Sequence, residues 1–389
     1  MSKTKQPLKS ELRLPSQANW LKYIQTQEDP PNAFQSGAEY PFYSDTGVVG
    51  EITEGLGPYK ILNAVPISDN GTANISMVLR AFIYDSSLNY PLVPLKTDTS
   101  RFHGGYFQEE IASLVSLSLG IRLKAGEANR HFYPGDLYGR FRSHAFKPAP
   151  SLSIDVANPV IRTSKRVYMR DAEQFLATIP NIEPSKYVDL VRAARAFQDA
   201  LWIAESDPHL AWLLLVSSLE IAANSHFTAS GSALDNFVEL KPDLSSIIID
   251  AGGQELLKRV AEDFKGVFGS TKKFLVFCEK FIPNAPDTRP TEEGRITWTW
   301  SGMKPLLSKI YDLRSQALHA GIPFPAPMCR PPSKSSQEDH PAEKAIIALA
   351  EGTMTANWLP KDAPIALHTF QYFVRGALLN WWQQIPNER

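Results

Sequence analysis

Two rhythms of apolar and polar positions divide the chain. Between about residues 46 and 100 the apolar residues come in short β-branched and aromatic runs, Tyr59 to Ile67 and Ala73 to Tyr84. Asp69-Asn70-Gly71 lies between them, and runs of this kind around a turn signal predict a small sheet built on a hairpin. Ile111, Leu114, Val115 and Leu119 then recur three and four apart, which predicts a helix over 108–119 that ends at Gly120. After about residue 172 the spacing is helical to the end. Pro184 suits the first turn of a helix running to about Glu205, with Val188, Leu190, Val191, Ala194, Phe197 and Leu201 on its apolar face. Asp207-Pro208 repeats the signal, cap then first-turn proline, for a second helix to about Asn224. Further helices are predicted at 253–265, 271–282, 304–320 and 364–384. In the last, Leu367, Phe370, Phe373, Val374, Ala377, Leu378 and Trp381 form a stripe that reads as core.

The predicted fold class is therefore α+β: a small β-containing N-terminal domain over residues 1–172, then a helical domain over 184–389. One stretch breaks the helical half. Pro323, Pro325, Pro327, Pro331, Pro332 and Pro341 fall within residues 322–342, and a segment so rich in proline forms neither a helix nor a central strand. It reads as a mobile insertion.

A chain of 389 residues is long for one core and comfortable for two. Its net charge of -1 gives no global attraction for nucleic acid, so any such site has to be local. Residues 122–170 are the place for one. They hold ten Lys or Arg against three acids, and Phe132, Tyr133, Tyr138, Phe141 and Phe146 are interleaved with the cations. Arg130, Arg140, Arg142 and Lys147 are the candidate RNA-binding residues, because single strands are held by cations on phosphates and aromatic rings under bases. The competing reading is a loop-rich segment of solvated cations.

Two cysteines, Cys278 and Cys329, are too few for a disulfide framework or a cysteine-rich metal site and fit a reducing compartment. Residues 1–9 lack the apolar core of a signal peptide, and no apolar run spans a bilayer. The cytoplasm is the expected location, and no metal or other cofactor is expected. Neither a GxxxxGK[ST] loop, a GxGxxG fingerprint nor a GxSxG elbow occurs.

The strongest chemical pairing is in Tyr311-Asp312-Leu313-Arg314-Ser315-Gln316-Ala317-Leu318-His319-Ala320-Gly321. A permanently charged phosphate binder and a general acid/base stand five apart at the end of an apolar helix. Leu306, Ile310, Leu313 and Ala317 are its predicted buried face, and Gly321 with Pro323 its stop. Five residues turn an ideal helix by about 500°, so the two side chains diverge by about 140°. They converge only if the arginine folds back, the last turn distorts, or a second copy of the helix completes the site.

These residues carry a family resemblance. The chain resembles HEPN-domain proteins, most closely the Apea-like HEPN group associated with prokaryotic anti-phage defence. The early helix Ala211-Trp212-Leu213-Leu214-Leu215-Val216-Ser217-Ser218-Leu219-Glu220 is followed by a later helix bearing the R-x4-to-6-H signature, here Arg314 and His319. The similarity covers roughly residues 184–384, and Glu109 to Gly120 is similar to the domain that precedes such modules. The resemblance implies an all-α HEPN bundle that forms a homodimer through its motif helices, so that two motifs face one another as a composite, metal-independent endoribonuclease site. It implies RNA cleavage by 2′-OH attack on the adjacent phosphorus, leaving a 2′,3′-cyclic phosphate and a 5′-OH. His319 is the candidate acid or base, and Arg314 the group that stabilises charge in the transition state.

Three residues support that pair. Ser315 stands where active HEPN ribonucleases often carry Asn, Asp or His, and its hydroxyl hydrogen-bonds without acting as an acid or base near neutral pH. Glu220 either orients Arg314 by ion pairing or satisfies a helix surface. Tyr311, one turn before Arg314, is a packing residue or a participant. Two other functions fit the same residues: a non-catalytic HEPN module that binds RNA or a protein, and a scaffold or receptor whose basic 122–170 segment meets an acidic partner. With the ribonuclease reading, the N-terminal half is the expected sensor or recruitment domain, for a phage or host protein trigger, and no membrane is expected.

Overall fold

The computed structural model describes residues 13–27, 34–64, 73–85, 97–136, 138–142, 147–152, 154, 157–227, 232–264, 269–333 and 340–387. The chain parts into two compact units, residues 1–214 with 381–389, and residues 215–380. It is an α+β protein with a small antiparallel sheet. Among the described residues no helix is long and apolar enough to cross a membrane.

The first unit contains that sheet. Strands β3 (Tyr59–Asn63), β4 (Asn74–Ile83), β1 (Ser36–Ser44), β6 (Arg130–Phe132) and β7 (Arg140–Phe141) lie in this order, and β5 (Lys124–Ala125) pairs with β1. Both aromatic runs of the sequence thus contain paired strands, β3 against β4; the turn signal between them, Asp69-Asn70-Gly71, lies outside the described residues. Strand alternation sorts the faces. Met77, Leu79 and Ala81 are fully buried while Val78, Arg80 and Phe82 are half-buried. On the buried face Tyr59 meets Trp20 of helix α1 (Pro15–Gln27) and Phe107 of helix α2 (Phe107–Leu119), with ring centroids 5.7 and 5.5 Å apart.

Helix α2 ends as its sequence dictates. Gly120 takes φ 69°, and its N–H bonds the Ser116 carbonyl, a left-handed cap that a residue without Cβ adopts at no steric cost. All residues from Glu110 to Leu119 are buried, because α2 packs against α1, α3 (Arg170–Leu176) and α4 (Pro184–Ile203). Such a helix has no solvent face, so its buried polar groups need partners. Glu110 accepts from Ser16 N at 3.0 Å and meets His103 Nε2 at 3.1 Å. Ser16 Oγ in turn lies 2.6 Å from Tyr187 Oη, and Tyr59 Oη donates to the Ser16 carbonyl at 2.7 Å. A short strand, β2 (Gly47–Val49), pairs parallel with β8 (Arg166–Tyr168).

The helix starts at Pro184 and Pro208 are both present, in α4 and in α5 (Pro208–His226). Glu183 caps α4, its carboxylate accepting from Ser185 N and Lys186 N. The second unit holds the remainder of α5, then α6 (Ala233–Leu240), α7 (Pro242–Asp263), α8 (Gly269–Lys280), α9 (Trp300–Ala320) and most of α10 (Leu367–Gln384).

Four details differ from the sequence expectation. The helix expected over 253–265 starts at Pro242 and bends at Gly253, whose φ of 71° breaks the helical path. The helix expected over 304–320 opens at Trp300 and so carries Pro305 inside it, where proline, which lacks an N–H, costs one backbone bond. The Pro-rich stretch, expected as a mobile insertion, has buried anchor points where it is described. Residues Ala326–Cys329 form a 3-10 turn, and Phe324 and Met328 are buried at 1% and 0% exposure; two large apolar side chains anchor the prolines. The unit is also not purely helical, since β9 (Glu351–Gly352) pairs with β10 (Asn357–Trp358).

Candidate functional site

Helix α9 is fixed by its buried stripe. Met303, Leu307, Ile310, Tyr311 and Leu313 are buried, whereas Leu306 and Ala317, expected in the stripe, are half-buried. Tyr311 turns inward instead, its ring tilted by 47° against that of Phe274 of α8 with centroids 5.1 Å apart. Phe274 is fully buried. The sequence marks it only as one of the apolar positions of α8, and nothing in the motif points to it.

That rotation places Tyr311 and Arg314 together against Glu220 of α5. Arg314 Nη2 donates to Glu220 Oε2 at 2.7 Å, and Tyr311 Oη donates to Glu220 Oε1 at 3.0 Å. The guanidinium also lies 5.7 Å from the Tyr311 ring. The side chains of Arg314 and Glu220 are 21% and 16% exposed, shielded enough that a charge-assisted bond keeps much of its strength. Burial, and then the negative charge of Glu220, raise the Tyr311 phenol above its ordinary value. The phenol therefore remains a neutral donor. Of the two readings of Glu220, ion pairing with Arg314 is the one the structure shows.

Glu220 occupies only one edge of the guanidinium. Arg314 Nε is buried and has no hydrogen-bond partner among the described residues. An arginine presents five N–H donors in a planar fork; Glu220 orients the group, and with the side chain 21% exposed and Nε buried, only the outer Nη donors are placed to meet an oxyanion.

His319 is in the last turn, exposed, and makes no hydrogen bond or ion pair among the described residues. Gly321 stops the helix with φ 67°, its N–H and that of Ile322 both reaching the Gln316 carbonyl. Ser315 is half-buried between them. No bond within the chain joins Arg314 to His319. One is turned toward α5 and the other projects from the helix end, as a five-residue spacing on a regular helix requires.

The basic candidates belong to the first unit, and partners from elsewhere in the chain balance part of their charge. Arg142 lies 3.4 Å from Glu127, and Arg130 3.4 Å from Glu39. Lys124 pairs with Asp199. Arg122 is 1% exposed and bonds Asp45 at 3.1 Å and Glu205 at 2.7 Å. Glu39, Asp45, Asp199 and Glu205 lie outside residues 122–170, which is why counting within the segment overstates its charge. Arg140 and Lys147 instead sit over aromatic rings, of Tyr133 at 5.9 Å and Tyr106 at 4.9 Å. Tyr138 and Phe141 are each 82% exposed. Phe132 is buried, and Phe146 lies outside the described residues.

Cys278 and Cys329 are both buried and form no disulfide, and burial pushes the Cys278 thiol well above its usual range. No three His, Cys, Asp or Glu side chains cluster among the described residues as ligands for a metal.

The chain matches no protein-family model, and no curated protein and no solved structure matches it.

Proposed function

We propose that the chain is a HEPN-type, metal-independent endoribonuclease that acts as a homodimer, with an RNA-targeting role in anti-phage defence. The observation that supports this most is the Glu220–Arg314–Tyr311 arrangement. A companion-helix carboxylate orients the motif arginine, and His319 stands exposed at the end of the same helix.

In the proposed reaction His319 removes the proton from a ribose 2′-OH or delivers one to the departing 5′-oxygen. The 2′-oxygen attacks the adjacent phosphorus, the bond to the 5′-oxygen breaks, and a 2′,3′-cyclic phosphate remains. Arg314 meets the phosphoryl oxygens as their negative charge grows. Because Arg314 and His319 diverge on one helix, the proposal uses two motifs facing across a dimer. Arg314 of one copy then works beside His319 of the other.

The test is incubation of purified protein with RNA in excess chelator. Wild type should produce fragments, and Arg314→Ala and His319→Ala should produce none, His319→Ala at the wild-type melting temperature and Arg314→Ala still folded by circular dichroism at the assay temperature; equal cleavage by either variant overturns the assignment.

A second reading has an observation of its own. Arg314 is already ion-paired and Ser315 is no acid or base, a combination that suits a HEPN module which dimerises and binds RNA or protein without cutting. Under that reading wild type retains RNA intact, and the two variants lose binding.

A further inference from the structure

The outward face of the sheet in the first unit carries a charge pattern that is scattered in the sequence. The register sets Lys60 of β3 opposite Arg80 of β4, and Arg80 opposite Glu39 of β1. Glu39 is opposite Arg130 of β6, and Arg130 opposite Phe141 of the edge strand β7. Directly paired residues project from the same face of a sheet. These five therefore form one row across five strands.

The ion pairs agree with the register. Glu39 takes Arg80 Nη2 at 2.5 Å on one oxygen and Arg130 Nε at 3.4 Å on the other. The Glu39 side chain is 8% exposed, against 31% for Arg80 and 46% for Arg130. The carboxylate is thus underneath and the guanidinium groups above it. One acid orients two arginines, and Lys60 has no ion-pair partner among the described residues, so the row has an excess of positive charge.

Aromatic rings run beside the row. Gly37 is paired with Phe82 on one side and Phe132 on the other, and a Cβ at Gly37 would sit 3.1 Å from Phe82 Cδ1 and 3.4 Å from Phe132 Cβ. The two ring centroids are 6.4 Å apart, and Arg80 lies 5.2 Å from the Phe132 ring. At the open edge Phe141 is 82% exposed. A phenylalanine this exposed, at the end of a row of cations, has the composition of a surface that tracks phosphates and stacks a base.

We propose that this sheet face binds single-stranded RNA, with Lys60, Arg80 and Arg130 along the phosphates and Phe141 under a base. The proposal rests on the ribonuclease reading for the choice of RNA, and it gives that reading a substrate-holding surface separate from the motif helix.

The experiment measures fluorescence anisotropy of a labelled 12-residue oligouridylate against full-length His319→Ala protein, which keeps the probe intact. Into this background go Lys60→Ala, Arg130→Ala and Phe141→Ala, each checked for an unchanged melting temperature. Phe141→Ala should weaken binding about tenfold. Lys60→Ala and Arg130→Ala should each weaken it and flatten the slope of log affinity against log salt by about 0.7. Affinity and slope unchanged in all three overturn the proposal. So does displacement of the probe by polyglutamate combined with indifference to Phe141→Ala, which assigns the face to an acidic protein segment. The two readings fail separately. Loss of binding in these variants with no cleavage by wild type keeps the platform and removes the nuclease; His319-dependent cleavage with unaltered binding does the reverse.

Discussion

Replacing Glu220 by alanine removes the carboxylate that, among the described residues, holds the motif arginine. Two bonds go with it, from Arg314 Nη2 at 2.7 Å and from Tyr311 Oη at 3.0 Å. A hydrogen bond to a charged group contributes about 1.5–3 kcal/mol when shielded, and the 21% and 16% exposures of the two side chains reduce the Arg314 bond to about 1–2 kcal/mol through solvent screening. The phenol bond adds about 1 kcal/mol. Glu220→Ala should then cost about 2–3 kcal/mol, and Glu220→Gln, which keeps an acceptor without the charge, about 1 kcal/mol. The assay is urea unfolding of wild type, Glu220→Ala, Arg314→Ala and the double variant. The double-mutant cycle should give a coupling of about 1–2 kcal/mol, and a value within the roughly 0.3 kcal/mol scatter of independent sites refutes the pairing. Glu220→Gln should also lower the rate of RNA cleavage more than its affinity for RNA, because its part is to position Arg314.

Three further outcomes follow from particular residues. Arg122→Met leaves Asp45 and Glu205 without the guanidinium that bonds both, and the stranded charge should cost about 3–5 kcal/mol in urea unfolding; a cost under about 1 kcal/mol contradicts the description of this cluster. Gly321→Ala meets nothing within 4 Å but must adopt φ 67°, so calorimetry should show a loss of about 1–2 kcal/mol from backbone strain alone, and no loss sinks the argument. Burial raises the Tyr59 and Tyr187 phenols well above 10.0. For a group whose folded pKa is raised, stability is complete below the unfolded pKa and declines as pH rises past it; phenolate absorbance at 295 nm should therefore show these two ionising only with unfolding above about pH 10, and an early reversible rise from both would contradict their burial.

The sequence made some elements legible because local chemistry decided them. Gly120 and Gly321 end helices for steric reasons internal to the chain, and Pro184 and Pro208 begin them for the same kind of reason. Other elements depended on distant partners. Helix α1 buries Ser16, Gln17 and Asn19, a polar face that looks solvent-exposed until Tyr59, Tyr187 and the Ile179 and Ile182 carbonyls supply its bonds. Strand β1 hides a proline and a glutamate in the middle of a sheet, Pro41 and Glu39, both marks against a central strand in sequence.

The candidate site divided in the same way. Arg314 and His319 were marked by type and spacing and Glu220 by the companion helix of the resemblance, but the turn of Tyr311 onto Phe274 is tertiary packing that no motif encodes. The basic segment was visible as composition, yet the acids that balance Arg122 and Lys124 come from as far along the chain as Glu205. Lys60 and Arg80 join Arg130 only through strand register, so a window of sequence around residues 122–170 does not contain them.

The end chemistry of the RNA products tests the central claim most directly. Wild-type protein in excess chelator should generate fragments ending in 2′,3′-cyclic phosphate and beginning with 5′-OH, resolved by mass spectrometry and by phosphatase-resistant mobility, with His319→Ala generating none. Fragments with 5′-phosphate ends, or the same cyclic ends from His319→Ala, would contradict the account.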